Sequence, residues 1–310
     1  MLAVQEHLRI EAQSDYIDDL WFLLHHSEGE DRLVVGLRWY LDDSGSDDGS
    51  PLVTCGGLAM SRAQFKGFSE RWGVMYKRNQ FSGYTLEPPL HMSDFLGSEK
   101  YAGLRPEFKR ALFRDVVRLI NEHKFYSLSV AISQTDFQSE IEEDVRKALI
   151  GPYAFAFFSV VLGHQYMSES AQTGPFKASY LVDRGFGHYD QLVEAHRIIV
   201  RFEEALGGFR HTGALGEDSD TDVPALQAAD AIAWASRKLE LAGSLPEGFE
   251  PLAEALSETT KHVTIPIDRD GIRMLAKPVR NWISRNGAIP KLEDILVRRT
   301  MDGFAVKLKP

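Results

Sequence analysis

Two β-forming runs separated by a short polar loop constrain the fold of this chain most. The first covers residues 33–43 (LVVGLRWYLDD) and stops at Ser44-Gly45, and the second covers residues 52–60 (LVTCGGLAM). Runs rich in β-branched and aromatic residues, bounded by Gly, Asp and Pro, are typical of strands. A short connection between two such strands favours antiparallel pairing. The sequence therefore predicts a hairpin.

The later predicted elements alternate between helix and strand. A hairpin followed by such alternation predicts an α/β (mixed α+β) domain, with a mixed sheet flanked by helices. Apolar spacing, early prolines and the glycines that follow predict the helices. The predicted helices cover residues 61–78, a segment beginning near Pro106, and residues 147–168, 188–206 and 223–241; the predicted strands cover 125–133, 179–183 and, as a short fifth strand, 209–212.

Composition excludes several classes of protein. Of 310 residues 44% are hydrophobic and 26% charged, which excludes intrinsic disorder for most of the chain. The lone Cys55 cannot form an internal disulfide or a Cys-rich zinc cluster, and it suits a reducing compartment. No apolar run approaches the roughly 20 residues that cross a bilayer, and the N-terminus does not resemble a secretory signal. These features predict a cytoplasmic protein without a membrane segment.

Charge is distributed unevenly. The chain carries a formal net charge of −10, whereas residues 271–310 hold nine Lys or Arg against three acidic residues. We predict three parts: a helical N-terminal extension (1–32), a main domain (33–243), and a small basic C-terminal appendage (244–310) packed on the same domain. The appendage has two interpretations, a phosphate-binding arm or a solvated basic face, and the sequence favours the second.

Asp230 is the most informative carboxylate in a predicted helix. It shares a helix face with Leu226 and Trp234, and that face is apolar. A buried, unpaired carboxylate costs several kcal/mol or takes up a proton. A divalent cation would compensate its charge, and an Arg or backbone amides would do so equally. The helix alone leaves a metal or catalytic role and a buried ion pair or cap open.

Three further carboxylates stand at predicted strand ends. Asp42 and Asp43 close the first strand, and Asp183 closes the fourth. Successive residues of a strand point to opposite faces, so Asp42 and Asp43 enter one site only if the strand breaks between them. We favour Asp42 as the residue that enters the site, with Asp43 as its neighbour or as a cap of the following loop.

An acidic run (EDSDTD, residues 217–222) precedes the helix of Asp230. Asp218, Asp220 and Asp222 imitate the start of a calcium loop, but Val223 stands where the turn glycine is required, which excludes an EF-hand. Acidic residues before a helix stabilise its dipole. That role is favoured here, with an accessory metal contact from Asp218 or Asp222 as the alternative.

Four motifs in sequence order resemble domain of unknown function family 3800, a bacterial and phage family. They are the strand end YLDDSG (40–45), the histidine motif LHMSDF (90–95), the aspartate strand LVD (181–183) and the helical motif LQAADAIA (226–233). The resemblance covers roughly residues 35–242. The chain departs from the family pattern at Asp43, where the family has Glu.

The resemblance implies a ribonuclease H-like fold and a two-metal phosphodiester hydrolase, a nuclease using Mg²⁺ or Mn²⁺. On this basis Asp42, Asp183 and Asp230 are the expected metal ligands, and Asp43 is a ligand or a neighbour of one. The match also favours His91 as a proton shuttle to the leaving group. The sequence apart from this match slightly favours the alternative, a hydrogen-bonded histidine in a Pro-rich loop.

The expected partner is nucleic acid, DNA or RNA, because the basic C-terminal segment offers a surface for phosphates. A second hypothesis is a catalytically inactive ribonuclease H-like binding module in a defence or toxin system. The acidic body of the protein and the shorter Asp43 motivate that hypothesis. A hydrolase of free nucleotides is the third.

Overall fold

The structure is a computed structural model that describes residues 35–45, 50–79, 89–97, 101, 104–170, 176–184, 187–206, 212–257 and 262–286. The predicted helical extension (1–32) lies outside the described residues. So does the part of the predicted basic appendage that follows residue 286.

The centre of the fold is a six-stranded sheet. Its strands are β1 (Val35–Ser44), β2 (Leu52–Met60), β3 (Tyr126–Ser133), β4 (Phe176–Asp183), β5 (Thr212–Asp218) and β6 (His262–Ile267). They are ordered β5-β4-β1-β2-β3-β6. β2 pairs antiparallel with β1 and β3, and the remaining pairs are parallel. The predicted hairpin and mixed sheet are therefore confirmed.

Helices cover both faces of this sheet, as predicted. They are α1 (Arg62–Asn79), α2 (Met92–Gly97), α3 (Pro106–His123), α4 (Gln134–Glu140), α5 (Glu143–Ala148), α6 (Pro152–Ser170), α7 (Tyr189–Leu206), α8 (Pro224–Ala242), α9 (Glu250–Ser257) and α10 (Arg269–Asn286). Within the part of the chain that the structure describes, none of the helices is long and apolar enough to cross a membrane.

Side chains alternate along β1 between two hydrophobic cores. Trp39 and Leu41 belong to the core that α6 and α7 complete. Tyr40 points the other way, into the core formed with α1, α3 and α8. Because strand side chains alternate with a period of two, each face of the sheet receives every second residue.

Two sequence-based boundaries were wrong. The predicted helix 147–168 is split into α5 and α6, with Ile150 and Gly151 at positive φ between them. Pro152 follows Gly151, and a proline disfavours helical conformation in the residue before it. The fifth strand, Thr212–Asp218, continues past its predicted end at residue 212, and the predicted residues 209–211 lie outside the described part of the chain. Its glycines and acidic residues have weak β-propensity, which pairing with β4 overrides.

Strand β6 was missed by the sequence analysis. It lies within the predicted C-terminal appendage and pairs in parallel with β3 at one edge of the sheet. His262 begins β6 and is only 3% exposed. Its Nδ1 lies 2.8 Å from Ser127 Oγ and its Nε2 lies 3.0 Å from Thr264 Oγ1. Burial, with a smaller effect of Lys124, lowers the pKa of His262 to about 3.

This pKa predicts a loss of stability in acid. Below pH 6.5 the unfolded chain binds a proton at His262 that the folded protein does not, so folding weakens as pH falls toward 3. The contribution of His262 to the free energy of unfolding is about 2 kcal/mol less at pH 5 than at pH 7.5. Urea denaturation of the protein and of His262→Gln at both pH values measures it. Identical pH dependence in the two proteins would contradict this expectation.

Candidate functional site

Three parallel strands bring acidic residues to one edge of the sheet. Leu41 of β1 pairs with Val182 of β4, so Asp42 and Asp183 are the next residues of neighbouring strands. Asp183 in turn pairs with Asp218 of β5. Because the three strands run in the same direction, their carboxyl ends meet at the same edge.

Helix α8 adds Asp230 to this edge. The helix packs across β1 and β2, and the two backbones approach closely at Gly56, where a Cβ would lie 3.0 Å from Ala233 Cα. Gly56 is also the cross-strand partner of Asp42. The absence of a side chain at Gly56 therefore allows α8 to carry Asp230 close to the end of β1.

Asp42 and Asp43 lie on different faces, as strand geometry predicts. Asp42 is close enough to Asp230 for that carboxylate to raise the pKa of Asp42. Asp43 Oδ2 instead accepts a hydrogen bond of 3.3 Å from the hydroxyl of Tyr153, on α6. The backbone N–H of Asp43 donates to Asp42 Oδ1 at 2.8 Å. Asp42 thus belongs to the α8 side, with Asp43 behind it.

His91 lies between two carboxylates. Its Nε2 is 3.2 Å from Asp220 Oδ2, and its Nδ1 is 4.0 Å from Asp230 Oδ2. The next residue, Met92, donates its backbone N–H to Asp230 Oδ2 at 2.6 Å. His91 therefore contacts two carboxylates at this edge of the sheet directly. Its contacts are not limited to residues of its own loop.

Asp220 is the site residue that sequence reasoning missed. It lies in the turn between β5 and α8, is 9% exposed, and donates its backbone N–H to Asp183 Oδ1 at 3.1 Å. Asp218, by contrast, lies 3.6 Å from Arg184 Nη2, and Asp222 is exposed. The available signal was the position of this turn after a parallel strand, where ligand sites of such sheets form.

The environment of the site disfavours the ionised state of three of its carboxyl groups. Burial raises the pKa of Asp42 well above its usual value, and Asp230 and Asp43 raise it further. Burial raises the pKa of Asp230 to about 6, against the hydrogen bond from Met92. Burial also raises the pKa of Asp220, which His91 partly offsets. Anything positive that binds here relieves both desolvation and mutual repulsion.

The donor chemistry fits a hard divalent cation. Carboxylate oxygens are the ligands that Mg²⁺ and Mn²⁺ prefer. Asp220 Oδ2 is buried, and it lies 3.2 Å from His91 Nε2 without accepting a hydrogen bond of regular geometry. As the side chains stand, no three or more His, Cys, Asp or Glu residues of the described chain are arranged to hold an ion. Asp42, Asp183, Asp220 and Asp230 would hold a cation only after side-chain rotation brings their oxygens together.

Part of the basic C-terminal segment is occupied by ion pairs within the protein. Arg273 Nε lies 2.7 Å from Glu140 Oε2, and Arg280 Nε lies 2.8 Å from Glu142 Oε2. Both arginines are on α10 and attach it to α4 and the start of α5. These two cations stabilise the packing of α10, which reduces the charge that this helix offers to a phosphate backbone.

Comparison with known proteins adds no family to these observations. No model of a known protein family matches the chain, and no curated protein matches it. The resemblance to domain of unknown function family 3800 therefore stays a prediction that rests on four short motifs. The ribonuclease H-like assignment also stays a prediction, since a mixed sheet of this kind does not by itself specify an activity.

Proposed function

We propose that this protein is a Mg²⁺- or Mn²⁺-dependent phosphodiester hydrolase that acts on nucleic acid. The observation that carries the proposal is the meeting of buried and half-buried carboxylates and one imidazole at the carboxyl edge of parallel strands. Asp42, Asp183 and Asp230 would bind the cations, and Asp220 would join them. Burial that raises the pKa of carboxyl groups in a cluster is a feature of functional sites.

Bound cations would supply a nucleophilic water and would neutralise charge on the phosphate. The remaining work falls to the side chains of this chain. His91 Nε2 faces Asp220 Oδ2 at 3.2 Å, so this carboxylate would orient the imidazole. His91 would donate a proton to the leaving oxygen. Asp43 would act indirectly, by orienting Asp42 through its backbone N–H.

The nucleic-acid part of the proposal rests on the excess of basic residues between 271 and 310. Arg273 and Arg280 are engaged in ion pairs, whereas Lys277 and Arg285 are exposed on α10. An exposed Lys or Arg can neutralise a phosphate and release counterions. The expected consequence is cleavage that weakens as salt concentration rises.

A Mn²⁺ soak tests the metal requirement without a choice of substrate. Crystals of the protein soaked in Mn²⁺ are expected to give anomalous difference peaks bounded by Asp42, Asp183 and Asp230. Single-stranded and duplex DNA and RNA are then screened for cleavage with Mn²⁺ and with a chelator. A map without peaks at high Mn²⁺, together with no metal-dependent cleavage, would favour the inactive binding module.

A further inference from the structure

The side-chain amide of Gln227 makes four hydrogen bonds beside the candidate site. The residue lies in the first turn of α8 and is 2% exposed. Its Nε2 donates to the backbone oxygen of Asp220 at 2.7 Å. Its Oε1 accepts from three donors, namely Trp72 Nε1 at 3.3 Å, Tyr76 hydroxyl at 2.8 Å and Leu90 N–H at 3.0 Å. These donors and the one acceptor also identify which end of the amide is oxygen.

Two of the four bonds reach residues next to the reacting groups. Leu90 directly precedes His91, and Asp220 is the carboxylate that His91 faces. One side-chain amide therefore sets the position of both members of this pair relative to α8. Asp230, one turn further along α8, holds Met92 in the same way. The segment that carries His91 is thus attached to α8 on both sides of the imidazole.

We infer that Gln227 is a positioning residue for the proposed hydrolysis, because its amide holds His91 and Asp220 in register with Asp230. The inference rests on the proposed function. An amide suits this task because it accepts at one end and donates at the other without charge. Methionine has similar length and volume but makes none of these bonds. Glutamate keeps an acceptor for Leu90, and when ionised it has no donor for Asp220.

A matched control separates positioning from ordinary stabilisation. Tyr76→Phe removes a hydroxyl that donates to the same oxygen of Gln227 and lies beside the Leu90 N–H, but it leaves the bonds that Gln227 itself makes to Leu90 and Asp220 in place. A purely structural role predicts that Gln227→Met and Tyr76→Phe both lower the unfolding midpoint and leave kcat of the folded protein unchanged. A positioning role predicts that the two variants differ in kcat.

The decisive measurement is the kcat and KM of Mn²⁺-dependent cleavage, normalised to folded protein. For Gln227→Met we expect kcat to fall about 100-fold with KM changed little, since misplacement of reacting groups by about 1 Å has such an effect. For Tyr76→Phe we expect kcat within about threefold of the unchanged protein. Gln227→Glu decides the matter if Gln227→Met does not fold, and its kcat is expected to fall at least about tenfold. Equal kcat in the Gln227 variant and Tyr76→Phe would overturn the inference.

Hydrogen exchange distinguishes failure of this inference from failure of the proposed function. If the unchanged protein cleaves no substrate, the proposed function fails and the exchange of the Leu90 amide decides the positioning role. We expect that amide to exchange at least about tenfold faster in Gln227→Met, or in Gln227→Glu, than in Tyr76→Phe. Equal exchange rates in these variants would show that Gln227 does not hold the His91 segment, and would overturn the inference.

Discussion

Asp42→Asn, Asp183→Asn and Asp230→Asn are each expected to abolish Mn²⁺-dependent cleavage. Each substitution replaces a charged carboxylate by a neutral amide of the same shape, which weakens cation binding and leaves packing intact. A decrease in kcat of about 1,000-fold or more is expected, because the cation supplies several kcal/mol of transition-state stabilisation. Initial rates with saturating Mn²⁺ measure the effect. Retained activity in all three variants would contradict the proposed function.

Asp230→Asn is expected to change stability in a direction that ordinary loss of contacts would not. Burial raises the pKa of Asp230 to about 6 from 3.8, so the folded protein loses stability as pH rises from 3.8 through 6. Without metal, the free energy of unfolding of Asp230→Asn is therefore expected to rise by about 3 kcal/mol at pH 7.5. The gain shrinks below pH 6 and vanishes below pH 4. Mn²⁺ is expected to raise the melting temperature of the wild-type protein but not that of Asp230→Asn.

Asp222→Asn is the matched control for these variants. Asp222 belongs to the same acidic stretch as Asp220, but its side chain is exposed. Removing its charge is expected to leave kcat and the melting temperature within experimental error. If Asp222→Asn lost as much activity as Asp230→Asn, general acidity of this surface would explain the result better than a site at the strand ends.

Gly57→Ala is expected to have the largest effect on folding. Gly57 of β2 pairs with Leu41 of β1, and a Cβ at this position would lie 1.9 Å from the backbone oxygen of Tyr40. The ladder between β1 and β2 would have to separate, because a backbone atom cannot rotate away as a side chain can. We expect a loss of at least about 3 kcal/mol in the free energy of unfolding, measured by urea denaturation.

Gly216→Ala provides the comparison for a strand glycine with space around it. Gly216 lies on β5, where the nearest atom to a new Cβ is Leu181 Cδ1 at 3.7 Å, an ordinary contact. We expect a change of less than about 1 kcal/mol. If Gly57→Ala were as well tolerated as Gly216→Ala, β1 and β2 would not approach each other as closely at Gly57 as the structure shows.

Much of the architecture could be predicted because its causes are local. The hairpin follows from two β-forming runs and the short loop between them, and the separation of Asp42 from Asp43 follows from the period of two along a strand. Helix α8 begins at Pro224 and ends before Gly243, which takes positive φ. Each of these features depends on residues within one or two turns of chain, so the printed sequence is enough.

The set of residues that come together in the candidate site could be identified only from the tertiary structure. Asp220 lay in an acidic run whose local explanation, favourable charge before a helix, was sufficient by itself. Its contact with His91 joins residues more than a hundred positions apart. Such a contact depends on strand order and on the close packing of α8 against Gly56. Neither leaves a periodic signal in the sequence.

The sequence by itself determined the hairpin of β1 and β2, the position of helix α8 and the fact that two adjacent aspartates point to opposite faces, because steric preferences and side-chain alternation act over short distances. The tertiary structure decided that β6 closes one edge of the sheet, that Gln227 links α8 to the segment before His91, and that Asp220 joins the site. These outcomes depend on pairings between distant segments, whose free energy is set by the whole packed core and not by any one stretch of chain.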